Sequence, residues 1–211
     1  MKYIFVAGAP GSKWSSVVKN IYYSPSIDCS DYRDEWTYHH DASGRMELMH
    51  LGAYFDPGME LDLPEYLNFF GKASLEAIFD RAFTKEDNGI RIIKSHIFCN
   101  HIEFLRETWP DCPIVTVHRD DDSCLGWWVK CGHFDITYPL YNKYYVDLKT
   151  MAKKIEEQNT NMLRAIRYRT NMTDDLRSNH ELCAALGIAF PPEEYTQMYA
   201  HNNITVKVMQ P

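Results

Sequence analysis

Tyr3-Ile4-Phe5-Val6-Ala7-Gly8-Ala9-Pro10-Gly11-Ser12-Lys13-Trp14-Ser15-Ser16 is the stretch that decides the fold. Residues 2–8 are a short run of apolar, β-forming side chains ending in Gly-Ala-Pro-Gly turn chemistry, which predicts a buried strand. Residues 14–23 follow as a helix, with Ser12 as its cap. A glycine-rich turn that opens a helix offers backbone N–H groups and the positive end of the helix dipole to an anion. Gly8 and Gly11 permit tight turning and close backbone approach. Ser12, Ser15 and Ser16 add hydroxyl donors, and Lys13 adds a charge. The loop thus reads as a phosphate cradle, with an ordinary strand-to-helix turn as the plainer alternative.

Outward from this loop the pattern alternates. Residues 24–60 are mixed, rich in Asp, Tyr and His, with no clear period. A helix is expected over 64–83, opening at Pro64 with Glu65 in its first turn. Ile90-Arg91-Ile92-Ile93-Lys94 is a second buried-type strand, and 99–109 a short helix stopped by Trp109-Pro110. Residues 113–118 form a third strand leading into a helix at about 121–131. A long helical segment is expected over 139–168 and another helix over 173–186. Residues 203–209 read as a terminal strand or an extended tail. Strands alternating with helices predict an α/β fold, three layers with a central parallel sheet covered on both faces, as one domain over residues 1–211.

Composition fits that picture. The chain has 211 residues, 45% of them apolar and 24% charged, enough for a core without staples. No stretch reaches the ~20 apolar residues of a membrane span, and the start is too short for a secretory h-region, so the expected location is the cytoplasm, with no membrane partner. The net charge of −7 argues against a broad nucleic-acid footprint but leaves room for a small anion in a cleft. Six cysteines occur without a CxxC pair and read as buried and reduced. Cys99-x-His101 and Cys131-x-His133 do not match a structural zinc spacing.

In a doubly covered sheet, ligands bind beyond the carboxyl ends of the strands. The second strand ends there in Lys94-Ser95-His96, with lysine and histidine two apart and so on one side of an extended chain. His96 suits proton removal from an acceptor hydroxyl, and Lys94 suits steadying of negative charge. A cation beside the imidazole lowers its pKa and keeps it neutral. The alternative is a solvated lysine beside a core or capping histidine. The third strand ends in His118-Arg119-Asp120-Asp121-Asp122-Ser123. Arg119 can fork onto a phosphate, and Ser123 can add a hydroxyl. The three aspartates read as acids at a helix N-terminus rather than as metal ligands, because consecutive residues there point in different directions.

Together these three motifs, in order and each at a strand end, resemble the cytosolic and Golgi-type sulfotransferases. The resemblance spans roughly residues 2–130. It implies a P-loop NTPase-like fold, with 3′-phosphoadenosine 5′-phosphosulfate (PAPS) as donor, adenosine 3′,5′-bisphosphate as product, and no metal. Pro10, Gly11, Ser12, Lys13, Trp14, Ser15 and Ser16 look like the family's 5′-phosphosulfate loop. Ile92-Ile93-Lys94-Ser95-His96 is similar to the segment carrying its catalytic histidine, and Val115 to Asp120 with Ser123 resembles its 3′-phosphate segment. The implied roles are His96 as general base, Lys13 and Lys94 on the departing bridging oxygen, and Arg119 with Ser123 on the 3′-phosphate. The chain departs from the family pattern at several points. Gly11 rather than a basic residue follows Pro10, Asp120-Asp121 stands where Asn-Pro is usual, and Trp127 occupies the place of the partner serine.

The expected acceptor is a hydroxyl or amine on a small molecule or glycan. Tyr32, Trp36, Tyr38, His39, His40, His50, Tyr54 and Phe55 either line its pocket or pack over the sheet. Two other functions stay open. One is a small-metabolite P-loop kinase using Lys13 and Asp120–Asp122 with magnesium, although the Walker pattern GxxxxGK[ST] is not met. The other is a non-catalytic nucleotide-binding protein on the same fold. The oligomeric state is not legible.

Overall fold

A computed structural model of the chain describes residues 1–27, 53–54, 63–83, 89–130, 144–191 and 203–211. The first strand, β1 (Tyr3–Ala7), is buried at every residue. It lies at the centre of a five-stranded sheet ordered β2-β3-β1-β4-β5, where β2 is Ala53–Tyr54, β3 Arg91–Lys94, β4 Ile114–His118 and β5 Thr205–Met209. The pairs β2–β3, β3–β1 and β1–β4 are parallel, while β5 joins β4 antiparallel. The α/β fold with a mainly parallel sheet is thus present, and the terminal segment is a strand.

Alternation along β1 sends Tyr3 and Phe5 to one face and Ile4 and Val6 to the other. On the first face the Phe5 ring meets Phe79 at 5.8 Å, Phe98 at 5.7 Å and Trp109 at 5.2 Å between centroids. These partners come from the helix α2 (Leu63–Asp80), the 3₁₀ turn His96–Asn100, and the end of α3 (Ile102–Thr108). Truncating Phe5 to alanine in such a cluster costs about 3–5 kcal/mol. On the opposite face α1 (Trp14–Tyr22) packs on β1 and on α6 (Asn179–Leu186), burying Val17, Val18, Ile21, Leu182 and Leu186. The helices α4 (Asp121–Lys130) and α5 (Leu148–Ile166) pack on each other, and α5 also packs on the 3₁₀ turn and α3.

Several boundaries differ from the periodicity. The long helix starts at Leu148 because the Asp147 side chain accepts the Thr150 N–H at 2.7 Å, an N-cap that fixes the start. Residues 139–143 lie outside the described residues. The segment expected to be helical from 173 instead runs beside β5, where the N–H of Thr173 bonds the Val208 carbonyl and that of Leu176 the Val206 carbonyl. Its helix begins only after the Ser178 cap. The expected single helix over 64–83 ends at Asp80 and is broken at Gly71, whose φ of 78° and ψ of 167° suit glycine alone. The segment at 99–109 divides into the 3₁₀ turn and α3.

Candidate functional site

The site begins at the carboxyl end of β1. Beyond Ala7 the backbone folds back so that the Ser12 N–H donates to the Ala9 carbonyl at 3.0 Å. Gly11 has a φ of +80°, and a Cβ there would lie 1.9 Å from the Cys124 carbonyl oxygen of α4, so only glycine fits. Lys13, at φ 62° and ψ 23°, is the residue before α1 and stands in the left-handed region, at about 1–2 kcal/mol of strain. Ser12 was expected to cap α1, and it does not. Lys13 holds the cap position, and among the described residues no side chain caps the helix and the buried Ser12 Oγ has no hydrogen-bond partner. The Lys13 Nζ stands 4.4 Å from the ring centre of Trp127, and Lys130 approaches the same ring at 5.6 Å.

His96 follows β3 through the extended residue Ser95 (φ −156°, ψ 145°) and opens the 3₁₀ turn. Its Nδ1 lies 2.5 Å from the Gly8 carbonyl oxygen. A carbonyl only accepts, so Nδ1 carries the hydrogen and the lone pair of the neutral ring sits on Nε2. The ring stacks on Trp14 with centroids 4.0 Å apart and planes 18° from parallel. Burial pushes the His96 pKa down to about 3; the Gly8 bond opposes this and Lys94 adds a smaller downward push. The expected lowering by the neighbouring lysine is present but is smaller than that from burial. Lys94 is itself wholly buried, and burial holds its pKa well below the usual lysine value. It therefore does not enter the site as the standing cation that the sequence suggested. The indole of Trp14, expected in the donor loop, is buried against His96.

Arg119 follows β4 and ties the loop to α4. Its Nη1 donates to the Gly11 carbonyl at 3.2 Å and to the Ser123 carbonyl at 3.0 Å. Its Nε is buried without a partner. The expected fork onto a phosphate is thus partly taken by two backbone carbonyls. The Ser123 hydroxyl, expected to face a phosphate, bonds Asp120 instead, and the Ser123 N–H reaches the same carboxylate at 2.8 Å. These bonds hold the Asp120 carboxyl below its usual range. Asp121 accepts from Asn159 Nδ2 at 2.6 Å, and the same nitrogen donates to the Arg119 carbonyl at 3.0 Å. The aspartates read as helix-start acids behave as such. Among the described residues no group of three or more His, Cys, Asp or Glu is placed to hold a metal ion.

Two segments distant in sequence therefore meet on one loop: His96 on the Gly8 carbonyl, and Arg119 on the Gly11 carbonyl. The sequence did not single out Gly8 as a partner for His96, nor Ser95, whose buried Oγ has no hydrogen-bond partner. It also passed over Gln158 and Asn159. Their one sequence signal is polarity within the inward stripe Met151, Ile155, Met162 and Ile166. Most of the aromatic and histidine-rich stretch, with Cys29, Cys131 and His133, lies outside the described residues. Cys99, Cys112, Cys124 and Cys183 are buried free thiols.

The α/β sheet thus sets a glycine-containing loop, a buried histidine and an arginine at three adjacent strand ends, the edge where such sheets bind ligands. The model of the sulfotransferase family matches residues 24–192, and the chain belongs to that family. The match takes in His96, Arg119 and Ser123 but begins after the loop. No curated protein and no solved structure matches the chain. Among the described residues no helix is long and apolar enough to cross a membrane.

Proposed function

We propose that the chain transfers a sulfuryl group from 3′-phosphoadenosine 5′-phosphosulfate to a hydroxyl or amine acceptor on a small molecule or glycan, with His96 as general base. The observation that carries this is the His96 Nδ1 contact with the Gly8 carbonyl. It joins the base to the loop and fixes the tautomer whose basic nitrogen is Nε2. The Trp14 stack fixes the plane of that ring.

The loop suits an anionic donor. Ser12 brings a buried hydroxyl without an acceptor, Lys13 brings an ammonium, and α1 begins without a side-chain cap. Strained non-glycine backbone, as at Lys13, is characteristic of ligand clamps. When bound, the donor supplies the sulfuryl group and leaves as adenosine 3′,5′-bisphosphate. With the donor bound, its S–O bond to the phosphate would break as the acceptor oxygen or nitrogen bonds sulfur, and the acceptor proton would pass to His96. Lys13 steadies the departing oxygen, and Arg119 with Ser123 keeps the loop against α4 beside the 3′-phosphate. Two of the three carboxylates that a kinase would place on magnesium are engaged, Asp120 in capping Ser123 and Asp121 in bonding Asn159, which favours sulfuryl over phosphoryl transfer.

Two measurements test this. Adenosine 3′,5′-bisphosphate is expected to raise the Tm equally with and without EDTA, whereas stabilisation by ATP that requires magnesium would overturn the proposal. His96→Ala is expected to lower kcat by ~10²–10⁴-fold. Near-full transfer by that variant would remove the histidine from the chemistry.

A further inference from the structure

The stripe that α5 turns inward contains two amides. Gln158 is 1% exposed and Asn159 3%, and among the described residues neither Oε1 nor Nε2 of Gln158, nor Oδ1 of Asn159, has a hydrogen-bond partner. The Asn159 atoms are identified by their surroundings. The other end of the amide faces the Arg119 carbonyl and the Asp121 carboxylate, both acceptors, so that end is the nitrogen. Among the described residues its Oδ1 is then a buried acceptor without a donor, and Nε of Arg119, whose carbonyl the same amide bonds, is a buried donor without an acceptor. Unsatisfied amides destabilise a fold. Packing alone would be served by an apolar residue, as it is by Ile155 and Met162 on the same stripe.

The position of these atoms is defined by the contacts of α5. Asn159 meets the segment after β4, while Met162 Sδ lies 3.9 Å from Cys99 Sγ and Asn161 bonds Asn100 at 3.0 Å, both in the turn after β3. β1 lies between β3 and β4 in the sheet. The helix thus passes the carboxyl end of β1, where the loop begins, and the turn it packs on is the one that His96 opens.

The chemistry of the unsatisfied atoms narrows the ligand. Ionised phosphate and sulfate oxygens only accept hydrogen bonds. They would satisfy Arg119 Nε but not Gln158 Oε1 or Asn159 Oδ1, which need a hydrogen from the ligand. A hydroxyl both donates and accepts, and a sugar ring presents several at fixed spacing. We infer that Gln158 and Asn159 form a subsite for sugar hydroxyls beside the sulfuryl-transfer site. The inference rests on the proposed function for the role of that neighbouring site. Two sources share this chemistry: the ribose of the nucleotide donor and a carbohydrate acceptor.

The test uses Gln158→Met, which keeps the volume and removes the amide. Isothermal titration of wild type and variant uses adenosine 3′,5′-bisphosphate, its 2′-deoxy analogue, galactose and N-acetylglucosamine. The Tm of the variant is expected to equal or exceed that of wild type, while at least one sugar-bearing ligand binds ~10-fold or more weakly. If ribose is the source, wild type prefers the bisphosphate over its deoxy analogue and the variant loses that preference. If the acceptor is the source, a monosaccharide weakens while the bisphosphate is unchanged. Unchanged affinity for all four ligands overturns the subsite, as does a wild type that binds none of them or a variant whose Tm falls by several degrees. Intact bisphosphate binding with no effect of the variant removes the subsite and leaves the proposed donor standing. Monosaccharide binding that depends on Gln158, in a protein that binds neither nucleotide, does the reverse.

Discussion

Gly11 and Cys124 are in backbone contact: a Cβ on Gly11 would stand 1.9 Å from the Cys124 carbonyl oxygen. The loop after β1 is therefore seated on the first turn of α4 by the missing side chain, independently of any ligand. Gly11→Ala must adopt a φ of +80° and displace that carbonyl. Left-handed strain of about 1–2 kcal/mol and overpacking of about 1–3 kcal/mol act together. At 2–4 °C per kcal/mol, the Tm is expected to fall by ~5–15 °C by calorimetry. A glycine kept only for close approach to a phosphate predicts instead an unchanged Tm and weaker bisphosphate binding.

Arg119 holds the same junction from the other side through the carbonyls of Gly11 and Ser123. Arg119→Lys retains a charge for the anion but not the geometry that reaches both carbonyls. Hydrogen bonds from a charged donor contribute about 1.5–3 kcal/mol each when buried, and less at this half-buried position. The lysine variant is expected to lose about 2 kcal/mol in a urea titration with an unchanged m-value. Bisphosphate affinity is expected to fall in parallel. A purely electrostatic Arg119 predicts that lysine preserves both quantities.

The elements legible in the sequence are those specified locally. Residues 3–7, 91–94 and 114–118 are dense in Ile and Val and are strands. His96 and Arg119 were readable because strand ends place them where ligands bind. What escaped depends on distant partners. Residues 173–176 have no helix because the N–H groups of Thr173 and Leu176 bond β5, which joins the sheet only at the end of the chain. Ser12 was assigned as a cap because its neighbours are turn formers. Its place is decided by the contact of Gly11 with α4, which one segment of sequence does not contain. Gln158 and Asn159 stayed hidden because a polar residue on an amphipathic stripe is ambiguous until its partners, or their absence, are known.

Asp120 separates the two transfer chemistries. Its carboxylate accepts the Ser123 N–H at the start of α4, and its pKa is lowered by that bond first and by the Ser123 hydroxyl second. As a cap, Asp120→Ala is expected to cost about 1 kcal/mol in thermal unfolding. Substrate turnover by the variant should remain within a few-fold of wild type and insensitive to EDTA. A magnesium ligand predicts the opposite pattern, with near-normal stability and loss of activity that added magnesium partly restores.

The buried neutral His96 predicts a pH dependence of stability with a defined sign. Its folded pKa is about 3 against an ordinary value of 6.5, with burial the main cause. Below pH 6.5 the unfolded chain takes up a proton that the folded chain refuses. Unfolding then binds protons, and stability falls as the pH drops from about 6.5 toward 3, by at most about 1.4 kcal/mol per pH unit. The effect is absent above that window, where both states are neutral. His118, also lowered by burial, contributes in the same direction, so the histidines must be separated by mutation. His96→Asn keeps an N–H donor near the Gly8 carbonyl and does not titrate. Its Tm is expected to decline more gently than that of wild type between pH 6.5 and 4.5, with the two curves parallel above pH 7. Parallel curves throughout would mean that His96 is protonated in the folded protein at mild acidity, which its burial beneath Trp14 opposes.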